Sequence, residues 1–70
     1  MSFQEYEERE GDVCLVPMGE GHFKVYIFDD ENETWIFQAP ISKEEADRFV
    51  RPMQFMGKSS GQREYYRPLA

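Results

Sequence analysis

The sequence predicts an α+β fold in which a three-stranded antiparallel β-meander precedes one α-helix. Three stretches rich in β-branched and aromatic residues are separated by two short turn segments, which is the pattern of two successive β-hairpins. A helix-capping pattern and apolar residues at helical spacing follow the third stretch. Because a meander places its second strand in the middle, the third strand is expected at an edge of the sheet.

Turn segments and prolines delimit the strands. The predicted strands occupy residues 12–18, 23–29 and 34–39. A glycine-rich loop at residues 19–22 and a polar turn at residues 30–33 connect them, and Asn32 in that turn suits a left-handed conformation. Pro17 has no N–H to donate, so we expect the first strand to lie at a sheet edge or to end there. Pro40 is expected to stop the third strand.

The helix begins with a capping box, since Ser42 stands three residues before Glu45. One apolar stripe follows at helical spacing, formed by Ala46, Phe49, Val50 and Met53. Pro52 predicts that the helix stops or kinks near Val50 or Arg51. After the helix, residues 53–56 are either a short fourth strand or a cover for the core.

The charge distribution divides the chain into an acidic body and a basic tail. Residues 1–47 hold 13 of the 14 acidic residues and three basic ones, whereas residues 48–70 hold five basic residues and one acidic residue. We therefore predict an acidic N-terminal arm over residues 1–11, an α+β core over residues 12–56 and a basic, aromatic tail over residues 57–70. The glycines and serines of residues 57–62 suggest a flexible linker, so the tail is expected to be separable from the fold.

Both faces of the predicted sheet are apolar, which is unusual for a small antiparallel sheet. In the second strand, for example, Val25 and Ile27 point to one face while Tyr26 and Phe28 point to the other. One short helix covers one face only. The other face would be covered by a second copy of the chain, by a different protein, or by the chain's own arms, using Phe3, Tyr6, Phe55, Tyr65 and Tyr66.

The sequence shows no convincing catalytic or metal-binding motif. Cys14 is the only cysteine and His22 the only histidine, whereas a structural zinc site takes four ligands. Residues 57–59 resemble the end of a phosphate-binding loop, but Pro52 stands where that motif needs its first glycine. We therefore expect no cofactor, no metal and no enzymatic activity.

Two charged segments are candidates for partner binding. The turn carrying Asp29, Asp30 and Glu31 presents carboxylates that would face a basic protein surface. The tail combines cations with rings that stack on bases, which suits single-stranded nucleic acid, although the acidic body would repel the phosphate backbone. The tail candidates are Arg63, Tyr65, Tyr66 and Arg67.

These features favour a small binding protein or inhibitor that docks an apolar sheet face or edge, framed by acidic residues, onto a protein partner. The uncharged third strand adds Trp35, Ile36 and Phe37 to the predicted contact residues. A homodimer is a second expectation. An antagonist of a basic, nucleic-acid-handling protein, of the sort that small mobile-element genes encode, is one concrete version. The alternative is a nucleic-acid-binding module that uses the tail.

The expected location is the cytoplasm. The first ten residues are acidic and contain no apolar run, which does not fit a signal peptide. The longest apolar stretch, residues 25–28, is far too short to span a membrane. A lone cysteine fits a reducing compartment.

Overall fold

The computed structural model describes residues 6–69, and the predicted contribution of Phe3 lies outside them. Five antiparallel strands form one sheet with the order β3-β2-β1-β5-β4, and one helix packs on it. The elements are β1 (Val13–Gly19), β2 (His22–Asp29), β3 (Thr34–Ser42), α1 (Lys43–Val50), β4 (Gln54–Ser59) and β5 (Arg63–Arg67). A short 3-10 turn, Ser60–Gln62, joins β4 to β5. The α+β class and the β1-β2-β3 meander are confirmed.

The number and order of the strands differ from the prediction. Two strands follow the helix, and β5 pairs with β1 in the middle of the sheet. Residues 57–62 do not form a flexible linker: residues 57–59 belong to β4, and Gly61 takes the left-handed conformation (φ 77°) in the turn that reverses the chain before β5. The segment after Gly57 is therefore part of the sheet, and the expectation that it is separable from the fold does not hold.

The first strand lies at the centre of the sheet, contrary to the expectation from Pro17. β5 pairs with β1 only from Val13 to Leu15, whereas β2 pairs with β1 from Val13 to Gly19. Pro17 is the register partner of Phe23 and lies beyond the part of β1 that β5 covers. The missing N–H of Pro17 is tolerated because, at this position, β1 has no paired neighbour on the side of β5.

The turns and the end of β3 also correct the sequence analysis. Glu20 and Gly21 both have positive φ angles and form the two-residue turn between β1 and β2. In the next turn Glu33, not Asn32, takes the left-handed conformation (φ 51°). Strand β3 continues past Pro40 to Ser42, because an edge strand has an unpaired side on which a missing N–H costs no ladder bond.

The helix forms as the sequence predicts. The Ser42 hydroxyl accepts a hydrogen bond from the Glu45 N–H at 3.1 Å, and the Glu45 carboxylate accepts from the Ser42 N–H at 3.4 Å. This capping box satisfies backbone donors at the start of α1. The helix ends at Val50, directly before Arg51 and Pro52.

Apolar clusters on both faces of the sheet confirm that neither face is polar. The helix covers a cluster formed by Val13, Leu15, Val25, Ala46 and Val50. The opposite face holds a second buried cluster of Cys14, Met56 and Tyr65, and half-buried side chains surround it: Tyr6, Val16, Tyr26 and Trp35. The N-terminal arm therefore covers part of the second face through Tyr6.

We expect Ser42→Ala to lower the free energy of unfolding by about 1 kcal/mol, because the Glu45 N–H loses its acceptor. Urea unfolding followed by circular dichroism measures the change. Ser60→Ala is the control, since Ser60 is exposed in the turn after β4. Equal stability of the two variants would contradict the capping role.

We expect removal of residues 58–70 to abolish cooperative unfolding, because the truncated chain lacks β5 and leaves β1 unpaired on one side. Far-UV circular dichroism and urea unfolding test this. Truncation after Arg67 is the matched control, since Pro68 and Leu69 lie outside the sheet and Leu69 is exposed. A native-like transition in the shorter chain would show that β5 is dispensable.

Candidate binding surfaces

A buried ion pair joins the two ends of the described chain. Asp12 is only 1% exposed, and its carboxylate accepts hydrogen bonds at 2.9 Å from both Nε and Nη2 of Arg67. The Tyr6 hydroxyl donates to the same carboxylate at 2.6 Å, and the Arg9 N–H donates at 3.0 Å. Arg67 also donates to the Glu7 carbonyl at 2.8 Å. The arm is thereby held against β5.

The pKa values of these groups follow from their contacts. Burial alone would raise the pKa of Asp12, but hydrogen bonds from Arg67, Tyr6 and Arg9 outweigh it and hold that pKa below its ordinary value. The hydrogen bond to Asp12 raises the pKa of Arg67. Burial and the bond to Asp12 raise the pKa of Tyr6. Arg67 is thus committed to the fold and is not available as a cation for a partner.

The sheet face opposite the helix carries a network of aromatic rings, here called the aromatic face: Tyr6, Tyr26, Phe28, Trp35, Phe37 and Tyr65. The Trp35 ring lies 5.1 Å from Phe28 and 5.6 Å from Tyr65, measured between centroids. It reaches Tyr65 across two intervening strands, and the small Cys14 side chain belongs to the buried cluster between them. Tyr65 in turn contacts Tyr6 at 5.5 Å.

Strand β3 forms one edge of the sheet and carries no charged residue, and its first part, residues 34–37, is here called the free edge. Ile36 is 44% exposed and pairs with Ile27 on the helix side, whereas Phe37 is 49% exposed and packs on Tyr26 at 5.5 Å on the aromatic face. Beyond the free edge, Gln38 has no register partner in β2 and forms a bulge. Large apolar side chains therefore flank the free edge on both faces.

Carboxylates surround the Trp35 end of the free edge. Glu7 and Glu8 of the arm, with Asp30 and Glu33 of the β2–β3 turn, line a hollow next to Phe28 and Trp35, here called the acidic hollow. The turn is held together by Asp29, whose carboxylate accepts from the Glu31 N–H at 3.1 Å and from the Asn32 amide at 2.7 Å. Of the predicted acidic residues, Asp29 therefore shapes the turn and Asp30 faces the hollow.

A groove of about 230 Å³ lies between α1 and β3 on the other face. Its lining is mainly apolar and consists of Val25, Gln38, Ala39, Ile41, Glu45 and Phe49. Phe49 is 40% exposed although it belongs to the apolar stripe of the helix. The groove begins beside the free edge, since Gln38 and Ala39 continue the same strand.

A second hollow on the aromatic face has the opposite charge and is called the basic hollow. Its lining residues are Cys14, Val16, Lys24, Tyr26, Trp35, Arg63 and Tyr65. Trp35 separates it from the acidic hollow, because the Trp35 side chain lines both. Sequence analysis missed Lys24 here. The available signal is its position two residues before Tyr26 in β2, which places both side chains on one face.

The structure separates the four tail residues that were predicted to act together. Arg63 and Tyr65 point into the basic hollow, and Arg67 pairs with Asp12. Tyr66 packs against the helix-side cluster and donates to Glu64 at 2.9 Å, which together with burial raises the pKa of Tyr66 to about 12. These residues do not form one basic aromatic strip.

Cys14 and His22 lie in different settings. Cys14 is buried, and burial raises the pKa of its thiol, which keeps the thiol protonated and unreactive. His22 is exposed, and its Nδ1 lies 2.9 Å from the Glu20 carbonyl within the hairpin turn. Among residues 6–69, no group of three or more acidic, cysteine or histidine side chains is arranged to hold a metal ion.

Comparisons with known proteins do not place this chain in a family. No protein-family model, no curated protein and no solved structure matches it. Within the described part of the chain, no helix is long and apolar enough to cross a membrane. Function must therefore be argued from the surfaces themselves.

We expect Arg67→Met to destabilise the protein by roughly 3 kcal/mol, because it leaves Asp12 buried without its cation. Urea unfolding at pH 7 measures the loss. Lys58→Met is the matched control, since it removes the exposed Lys58–Glu64 pair at 3.6 Å. That variant should change stability by at most about 1 kcal/mol. Similar losses in both variants would contradict a special role for the buried pair.

The pH dependence gives the same prediction a second test. Because the pKa of Asp12 is lowered by folding, its ionised form contributes stability above the unfolded pKa, and this contribution disappears as the pH falls through the folded pKa. The difference in the free energy of unfolding between the wild type and Arg67→Met should therefore be greatest near pH 7 and should become smaller in acid. A pH-independent difference would assign the loss to packing alone.

Proposed function

We propose that this chain is a small protein-binding module that captures an extended segment of a partner by strand addition to the free edge. The exposed, uncharged edge of β3, with Ile36 on one face and Phe37 on the other, carries the proposal. An added strand gains backbone hydrogen bonds from the edge and specificity from side chains that alternate between the two faces. Edges of this kind are usually shielded by charge or covering elements.

The charge around the edge defines the chemistry of the partner. The acidic hollow places Glu7, Glu8, Asp30 and Glu33 beside the Trp35 end of the free edge. A segment with alternating apolar and basic residues matches this arrangement, because its apolar side chains would lie on the helix side beside Ile36 and its cations on the aromatic face, toward the carboxylates. Binding would mask the partner's basic segment, which is how a cytoplasmic inhibitor of a nucleic-acid-handling protein would act.

The same charges disfavour a second copy as the occupant. Two copies paired through β3 around a two-fold axis run antiparallel. The Asp29–Glu33 end of one copy would then lie beside the helix start of the other, where Glu44 and Glu45 outnumber Lys43. Acidic groups would face acidic groups, so a basic partner fits this edge better than the chain itself does.

The groove beside α1 adds a binding site for an apolar side chain. It adjoins β3 on the helix side, and its lining includes Ala39, Ile41 and Phe49. Alternate side chains of an added strand point to that side. One apolar residue of the partner would therefore enter the groove while its neighbours face the aromatic face, which gives the segment a defined orientation.

An eight-residue peptide of alternating valine and lysine tests the proposal. We expect it to bind the wild type and to protect the backbone amides of residues 34–37 from hydrogen exchange. Phe37→Lys should weaken binding by roughly tenfold or more, because a lysine on the edge repels the basic peptide. Binding should also weaken as the salt concentration rises.

Phe55→Lys is a matched control on the opposite edge. Phe55 is 53% exposed and its ring lies 5.3 Å from Tyr66, which closely resembles the setting of Phe37. The proposal fails if both variants lose binding equally, or if a peptide with alternate amides N-methylated binds as well as the parent. Dimer formation that Phe37→Lys abolishes, without peptide binding, would assign the edge to a second copy.

A further inference from the structure

The basic hollow is not used by the proposed strand addition, and its two cations have no partner within the described chain. Lys24 and Arg63 are both exposed, and neither side chain forms an ion pair or hydrogen bond with another described residue. In contrast, Lys58 pairs with Glu64 and Arg67 pairs with Asp12. Lys24 and Arg63 are thus free to bind an anion.

The sheet register places these cations on either side of the hollow. Lys24 of β2 is the register partner of Val16 in β1. Arg63 precedes Glu64, the partner of Leu15, so it stands level with Val16 on the other side of β1. Two strand spacings, about 10 Å, separate the two backbone positions. Because both side chains are long, they can converge on one anionic group above the small Val16 side chain.

The rest of the hollow is aromatic. Tyr26, Trp35 and Tyr65 line it, with Cys14 as the remaining member. Its volume of about 360 Å³ falls in the range of about 300–1,000 Å³ that small-molecule sites occupy. Aromatic walls next to paired cations match a ligand with one planar ring and one anionic end, since rings stack on rings and an anion binds between cations.

We propose that the basic hollow binds a small aromatic anion, with the chemistry of a nucleoside monophosphate, whose ring packs against Trp35 and Tyr26 and whose phosphate lies between Lys24 and Arg63. This site shares Trp35 with the free edge, but its two cations lie on β2 and β5 and not on β3.

A single-stranded nucleic acid fits less well than a small ligand. The acidic hollow begins on the other side of Trp35, so a chain that continued past this ring would bring its phosphates to Glu7 and Glu8. The net charge of the protein, −6, adds a general repulsion toward a polyanion. A monophosphate avoids both effects because its charge is confined to the end that faces Lys24 and Arg63.

Fluorescence of Trp35 provides a direct readout, because it is the only tryptophan in the chain and lines the hollow. Adenosine monophosphate, adenosine and inorganic phosphate are titrated separately into the full chain. We expect saturable quenching by the monophosphate, with roughly tenfold or more weaker binding of adenosine, which lacks the charge, and of phosphate, which lacks the ring.

Substitutions then locate the site. Lys24→Gln and Arg63→Gln should each weaken monophosphate binding by roughly tenfold. Arg48→Gln is the matched control, since Arg48 is an exposed cation on α1, on the opposite side of the sheet. Thermal unfolding of each variant confirms that the fold is retained, as expected for exposed side chains.

Three outcomes would overturn the proposal. The first is absence of saturable quenching by the monophosphate at millimolar concentrations. The second is an equal effect of Arg48→Gln and Arg63→Gln, which would indicate unspecific attraction of the anion. The third is tighter binding of an eight-nucleotide single strand than of the monophosphate, with both losing affinity in Lys24→Gln, which would make this face a nucleic-acid surface.

Discussion

The buried ion pair between Asp12 and Arg67 is the interaction on which the rest of this structure depends. It joins positions 55 residues apart and holds the start of β1 next to the end of β5. The same carboxylate accepts from Tyr6, so one buried charge orders the arm as well as the sheet. An unpaired carboxylate at this depth would be costly, and its full set of donors makes the arrangement specific.

The placement of β5 in the middle of the sheet decides which surfaces remain available. Because β5 pairs with β1, the meander turns its third strand outward and leaves the free edge exposed. The arm that Asp12 anchors brings Glu7 and Glu8 to one side of Trp35, while β5 brings Arg63 to the other. The aromatic face thus has an acidic end and a basic end. This polarity separates the proposed site for a basic peptide strand from the proposed site for a small anion.

The features of the fold that neighbouring residues encode could be predicted, and those that depend on the pairing of distant segments could not. The capping box of Ser42 and Glu45 and the positions of the two hairpin turns involve neighbours in the chain, so they were predicted correctly. Strand β5 was missed because its pairing with β1 joins distant segments and no local pattern encodes it. The edge position of β3 was predicted, whereas the basic hollow was not, because Lys24 and Arg63 meet only through that distant pairing.

The sequence by itself determined the α+β class, the meander, the helix and the apolar character of both sheet faces, because short-range periodicity and turn chemistry encode all four. Only the tertiary structure decided that the C-terminal segment enters the sheet and that its four basic and aromatic residues separate. Because side chains alternate along β5, Tyr66 lies on the helix side of the sheet and Tyr65 on the opposite side. Arg67 forms an ion pair with the buried Asp12. The composition of a strand does not show which other strand it pairs with. That choice depends on distant segments: here β1 offers complementary side chains to β5, and the buried Asp12 needs the charge of Arg67.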